Sequence, residues 1–113
     1  MTRSANPGKA LKLWHDVNLT LVHGRGPDLS ARQMSILLTI YLEAPPHTVR
    51  ELARKLSVTK PVITRALNSL GKHDLLSRRR DEKDRRNVLV QRTVKGALYV
   101  ERLADTIAAT AKF

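Results

Sequence analysis

Two short amphipathic stretches, VRELARKL and KPVITRALNSL, are separated by only Ser57-Val58-Thr59. A connection that short makes two helices pack against each other at a steep angle. The first stretch opens with Thr48-Val49-Arg50-Glu51, a capping-box pattern, and carries Leu52, Ala53 and Leu56 on one face. The second is expected to be capped by Thr59, and it tolerates Pro61 in its first turn. It sets Ile63, Ala66, Leu67 and Leu70 at i, i+3, i+4 and i+7. Leu56 and Val58 are placed to close the junction. This spacing predicts a helix-turn-helix.

The flanking sequence extends the pattern. Residues 1–8 are polar, contain Pro7 and Gly8, and read as a loose arm. From Lys9 to His23 a helical stripe of Ala10, Leu13, Trp14, Val17 and Leu21 is widened by Leu11 and Val22. Gly24, Gly26 and Pro27 end it. Ser30 and Gln33 then form a second capping box, and Leu29 and Met34 a hydrophobic staple. The helix they start runs through Ile36, Leu37, Ile40 and Tyr41 to the stop at Ala44-Pro45-Pro46.

After the helical pair, Leu75-Leu76 begins a short strand, and Asn87–Gln91 has the β-branched content of a returning one. Between them lies the charged tip, Arg80 to Arg86. Thr93 can cap a last helix from Val94 to about Ala111, with Leu98, Ile107 and alanines as its apolar residues. The expected fold is mainly α with a small β-hairpin, a winged helix-turn-helix. Residues 9–113 would form one domain, with 48–92 as a lobe carrying the hairpin and the paired helices.

Composition narrows the chemistry. The 113 residues carry 21 Lys+Arg against 10 Asp+Glu, a net charge of +11, which points to a polyanionic partner. No cysteine is present, so disulfides, thiol redox chemistry and cysteine-ligated zinc are excluded. No apolar run is long enough for a membrane span, and residues 1–14 lack a signal peptide's apolar segment. A cytoplasmic location is expected. His15 and His23 stand eight apart, but no acid or cysteine completes a metal site with them, and His15, His23, His47 and His73 read as surface or interface residues. No Ser/His/Asp arrangement, Gly-rich phosphate loop or carboxylate pair suggests catalysis. Neither enzyme activity nor a cofactor or metal is expected.

The stretches LSARQMSILLTI, VRELARKLSVTKPVITRALNSL and LLSRRRDEKDRRNVLVQRTVKG together resemble the MarR-type winged helix-turn-helix transcriptional regulators, from about Leu29 to Leu103. Asp84-Arg85-Arg86 stands where that family carries an Asp-x-Arg at the wing, and Thr93-Val94-Lys95-Gly96 matches its threonine-led start of the next helix. Where the family usually has glycine, this chain has Asp74, which can adopt a left-handed conformation at some cost. Family members also carry a further C-terminal helix. With about 20 residues after Thr93, helices 9–23 and 94–112 are expected to dimerise the chain, or to do so more weakly than usual.

The resemblance implies double-stranded DNA as partner, a homodimer, and a two-fold target with half-sites one helical turn apart. On the second helix, Lys60, Pro61, Thr64, Arg65 and Asn68 face away from the core stripe. Arg65 can bridge guanine acceptors or a phosphate, and Asn68 can pair with adenine. Thr59, Thr64 and Ser69 suit phosphates. In the hairpin, Arg85 and Arg86 can enter a minor groove. The resemblance assigns the insertion to Arg86 and its orientation to Asp84. Arg78, Arg79 and Lys83 are expected on phosphates, while Arg80, Asp81 and Glu82 could equally form only a solvated turn. A small-molecule effector is a further implied partner, in a pocket that Trp14, Val17, Leu21 and Tyr41 could line, although apolar helix stripes are core by default. The alternative function is a winged-helix protein–protein adaptor. An RNA partner is disfavoured because the basic hairpin lacks aromatics for base stacking.

Overall fold

Four of the five helices start where a side chain takes up orphan amides. The computed structural model describes residues 6–111 and gives the order α1 (Pro7–His23), α2 (Ala31–Leu42), β1 (His47–Thr48), α3 (Val49–Leu56), α4 (Lys60–Lys72), β2 (Leu76–Arg80), β3 (Val88–Arg92) and α5 (Val94–Ala111). Asn6 caps α1 by accepting from the amides of Gly8 and Lys9. The expected arm is therefore corrected where it reaches residues 6–8: with an Asx cap and proline at the first helical position, the helix begins at Pro7. The rest of that arm, residues 1–5, and residue 112 lie outside the described residues. At α2 the full capping box of Ser30 and Gln33 is formed. At α3 only half of the predicted box exists. Thr48 accepts from the Glu51 amide, but the Glu51 carboxylate turns to Arg54, with the closer guanidinium nitrogen at 2.6 Å. A guanidinium one turn away competes successfully for that carboxylate.

The chain divides into two compact units, 1–28 with 101–113, and 29–100. The reason lies in the packing within the larger unit. It gathers Ile36, Leu37, Ile40, Leu52, Ile63, Leu67, Leu70, Leu75, Leu76 and Val90 into one buried cluster, with Leu29, Leu56, Val58, Tyr99 and Val100 packed against it. In the smaller unit, Val17 and Leu103 are buried, while Leu11, Trp14 and Val22 on α1 are exposed. Trp14 is 61% exposed, so it is not a core residue here. Leu98, expected on the apolar face of α5, is also exposed.

The sheet has three strands, not two. Its order is β1-β3-β2, all antiparallel, with His47 opposite Val90 and Thr48 opposite Leu89. The segment after the paired prolines, read only as a helix stop, supplies the edge strand. His47 corrects the expectation of surface histidines: it is 7% exposed, and its Nε2 lies 3.2 Å from the Glu43 carbonyl. Thr48 serves twice, as the last strand residue and as the cap of α3, so the sheet runs directly into the helical pair.

α3 and α4 end in the same way. Val58 N–H donates to the Ala53 carbonyl and Ser57 N–H to Arg54. Leu75 N–H likewise donates to Leu70, and Asp74 N–H to Gly71. These are Schellman closures, which need a left-handed residue. Ser57 (φ 56°) and Asp74 (φ 58°) occupy it without being glycine. Asp74→Gly is therefore expected to be neutral or to stabilise by up to about 1 kcal/mol, and Asp74→Val to destabilise by about 1–2 kcal/mol. Urea midpoints at unchanged m-value measure both.

Candidate nucleic-acid interface

α4 presents Lys60, Pro61, Thr64, Arg65 and Asn68 as an exposed stripe opposite buried Ile63, Ala66, Leu67 and Leu70. Lys72, one turn beyond Asn68, continues the stripe; the i+4 step that marks it was present in the sequence. Thr59 holds the cap position of α4, but its hydroxyl makes no capping hydrogen bond. One of the two amides such a hydroxyl serves belongs to the second helical residue, here Pro61, which has no N–H. The Thr59 side chain is exposed at the start of the helix.

Ser69 is half-buried and faces the start of α2. With Arg65 it borders a shallow polar depression completed by Ser30, Arg32 and Gln33. The depression brings a second basic residue, Arg32, beside Arg65. Arg32 could not be found from sequence, because only packing of α2 on α4 places it there.

The hairpin has two chemically different faces. Leu76, Arg78 and Arg80 lie on the side of the buried Val90, their cross-strand partners being Arg92, Val90 and Val88. Ser77 and Arg79 lie on the other side, because strand side chains alternate. Arg78 and Arg79, expected to do the same work, are thus separated. Arg78 turns toward α4, where its Nη2 donates to Asn68 Oδ1 at 2.8 Å.

The tip is built by its own charged groups. Arg80 Nη1 donates to the Arg85 carbonyl at 3.0 Å, and the Asp81 carboxylate accepts the Lys83 amide at 2.9 Å. Arg80 and Asp81 are therefore structural members of the turn, not only solvated charges. Asp84 takes Arg86 in a fork: Nε to Oδ1 at 3.0 Å and Nη2 to Oδ2 at 3.1 Å, with the Arg86 amide also on Oδ1. The Arg86 side chain is 83% exposed, so the pair contributes little to stability. What it does is hold a planar, five-donor cation in one direction. Lys83 and Arg85 are exposed at the same tip.

The Asp84 carboxyl is held below its ordinary value of 3.8, first by the Arg86 side chain, then by the Arg86 amide, with a smaller pull from Arg50 at the start of α3. Arg86 is pushed up by the same carboxylate. A carboxyl with a lowered pKa remains ionised at neutral pH, and the brace is lost only as pH falls through that lowered value. An NMR titration of Asp84 is expected to give a midpoint below 3.8, returning toward the ordinary range in Arg86→Ala.

Among the described residues, no group of three or more His, Cys, Asp or Glu could hold a metal ion, and no helix is long and apolar enough to cross a membrane.

The comparisons with known proteins agree with this architecture. The HTH-type transcriptional repressor YetL of Bacillus subtilis (strain 168) is 33% identical over 81 residues, covering 70% of this chain and 47% of its own length. The chain thus spans about half the length of that curated relative. FabT of Streptococcus pneumoniae, solved in complex with DNA, is 27% identical, with 93% of this chain and 71% of that one covered at a TM-score of 0.69. CouR, a transcriptional repressor of Rhodococcus jostii bound to a 23-mer DNA duplex, shares the fold at a TM-score of 0.73 and 24% identity, with the same coverage of 93% and 71%. The model of the MarR family matches residues 29–88, just over half of the chain. The chain belongs to the MarR family.

Proposed function

We propose that this chain is a sequence-reading, double-stranded-DNA-binding transcriptional regulator. α4 enters the major groove, and the hairpin tip enters the adjacent minor groove. The observation that carries the reading is the Asp84–Arg86 fork. An exposed ion pair has little value for folding, but a pre-aimed guanidinium at a hairpin tip suits a narrow groove of focused negative potential. Charge placement supports it. The unit 29–100 holds fifteen lysines and arginines against six acids, so +9 of the net +11 sits there. FabT and CouR, which carry this fold, were solved on DNA.

In this reading Arg65 reaches a base edge or phosphate, and Pro61 and Thr64 lie along the groove floor. Thr59, Lys60, Ser69, Arg79, Lys83 and Arg85 meet phosphates. Arg32 and Lys72 join them from the flanks of α4. A homodimer would place two such surfaces on a two-fold site. Its interface would use the exposed Leu11, Trp14 and Val22 of α1 together with α5, since large apolar groups in a row on a surface mark an association face. The chain acts by binding and not by catalysis, in the cytoplasm, with a small-molecule effector as a further partner. Repression is the mode, as in the relatives YetL and CouR.

Competition between phosphates and salt ions sets the first test. Six or so phosphate contacts per dimer are expected to weaken binding about a thousandfold between 50 and 200 mM salt. Arg65→Ala and Arg86→Ala should each weaken binding about 5- to 100-fold. A flat salt titration, or regulation left intact by both variants, would move the reading to a protein-binding adaptor. Trp14→Glu is expected to halve the mass seen by light scattering; an unchanged mass would place the association face elsewhere.

A further inference from the structure

Asn68 is the polar residue of α4 that a second element holds in place. The contact from Arg78 Nη2 to Asn68 Oδ1, at 2.8 Å, joins residues ten apart across α4 and β2. A guanidinium has no acceptor, so the atom it touches must be the amide oxygen and the carboxamide can sit only one way round. Arg78 is committed to this side by strand alternation, since it shares a face with the buried Leu76 and lies opposite Val90.

The consequence follows from what a carboxamide needs in order to read DNA. Pairing with adenine takes both ends at once: the amide N–H donates to N7 and the amide oxygen accepts from N6. Here a cationic donor already engages that oxygen, and the same cation repels the positive edge of a second donor such as the N6 amino group. One of the two lone pairs of that oxygen is thus taken and the other lies beside a cation, so the end of Asn68 left unopposed is Nδ2–H, a donor. The major-groove edge of guanine offers two acceptors, N7 and O6, and no donor.

We propose that Arg78 is a positioning residue that turns Asn68 into a donor, so that α4 reads guanine and not adenine at the base beneath Asn68. The inference rests on the DNA-binding reading above and gives that site its base preference. It also gives Arg78 different work from the phosphate contact expected of it from sequence. The pair acts as a unit: the strand of the wing sets what the recognition helix can read.

Selection of bound duplexes from a random pool, run on the full chain and on Arg78→Ala, Asn68→Ala and the double variant, tests this. The wild-type chain is expected to enrich guanine at one position of each half-site, with about tenfold preference over adenine. Arg78→Ala should erase or invert that preference at this position alone, and should add no further change in preference to Asn68→Ala. Replacing that guanine by 7-deazaguanine should weaken the wild-type chain and leave Asn68→Ala unaffected. Arg78→Ala overturns the inference if it lowers affinity equally on all sequences, reduces the salt dependence by about one phosphate and leaves the base preference unchanged. So does wild-type enrichment of adenine at that position. In either case the DNA-binding reading stands. Enrichment of no sequence by the wild-type chain overturns both together.

Discussion

The hydroxyl of Tyr41 holds the larger unit together. It donates to the Leu75 carbonyl at 2.8 Å and accepts the Thr93 amide at 2.9 Å, so one atom ties α2 to both ends of the hairpin. Each of those backbone groups would otherwise be left partly buried without a partner, at a cost of about 1–3 kcal/mol. Gly96 lies against the same atom. A Cβ there would overlap Tyr41 Oη and the Leu75 carbonyl, so only glycine lets α5 begin where it does. Thr93 adds two bonds, accepting the Gly96 amide and donating to the Asp74 carbonyl. Arg92 packs over the Tyr41 ring and donates to the Ile40 and Glu43 carbonyls at the end of α2. A hairpin joined only at its strands could hinge. This junction sets its angle to α2 and, through the buried Leu70 and Leu75, to α4.

Everything proposed for the interface depends on that angle. Arg78 can reach Asn68 only if β2 runs close beside α4. The tip is then free to be shaped by its own charges, and it is: Arg80, Asp81 and Asp84 each bond within the loop. Exposed charged contacts, such as the Asp84–Arg86 ion pair, do not stabilise a fold appreciably. Their effect is to reduce the conformations available to Arg86 before any partner arrives, which lowers the entropy lost on binding. The hairpin thus combines an anchored base, where stability is made, with a pre-shaped tip, where recognition is made.

Much of the fold was legible in particular residues. Ser30 with Gln33, the stripe of Ile63, Ala66, Leu67 and Leu70, and the pairing of Asp84 with an arginine all act within a few residues of one another. Expectations that failed did so where a nearby competitor or a distant partner intervened. Glu51 preferred Arg54 to its own cap. Thr59 makes no capping bond, and the proline two residues later removes one of the two amides it could have served. His47, read as a surface or interface residue, is buried because residues 47–48 pair as an edge strand with β3, more than forty residues away. Arg32 joins the candidate interface only through the packing of α2 on α4.

The amino-acid sequence by itself determined where most helices start and stop, which face of each is apolar, where positive charge accumulates, and that an acid at the hairpin tip can brace a neighbouring arginine. Those features rest on interactions spanning two to four residues, which any window of sequence displays. Only the tertiary structure decided that the wing is a three-stranded sheet, that Tyr41 and Gly96 lock it to α2 and α5, and that Arg78 engages Asn68. Those bonds join residues 10, 34 and 52 apart. No local pattern marks such a pair, because each partner is chosen by the packing that brings it within reach.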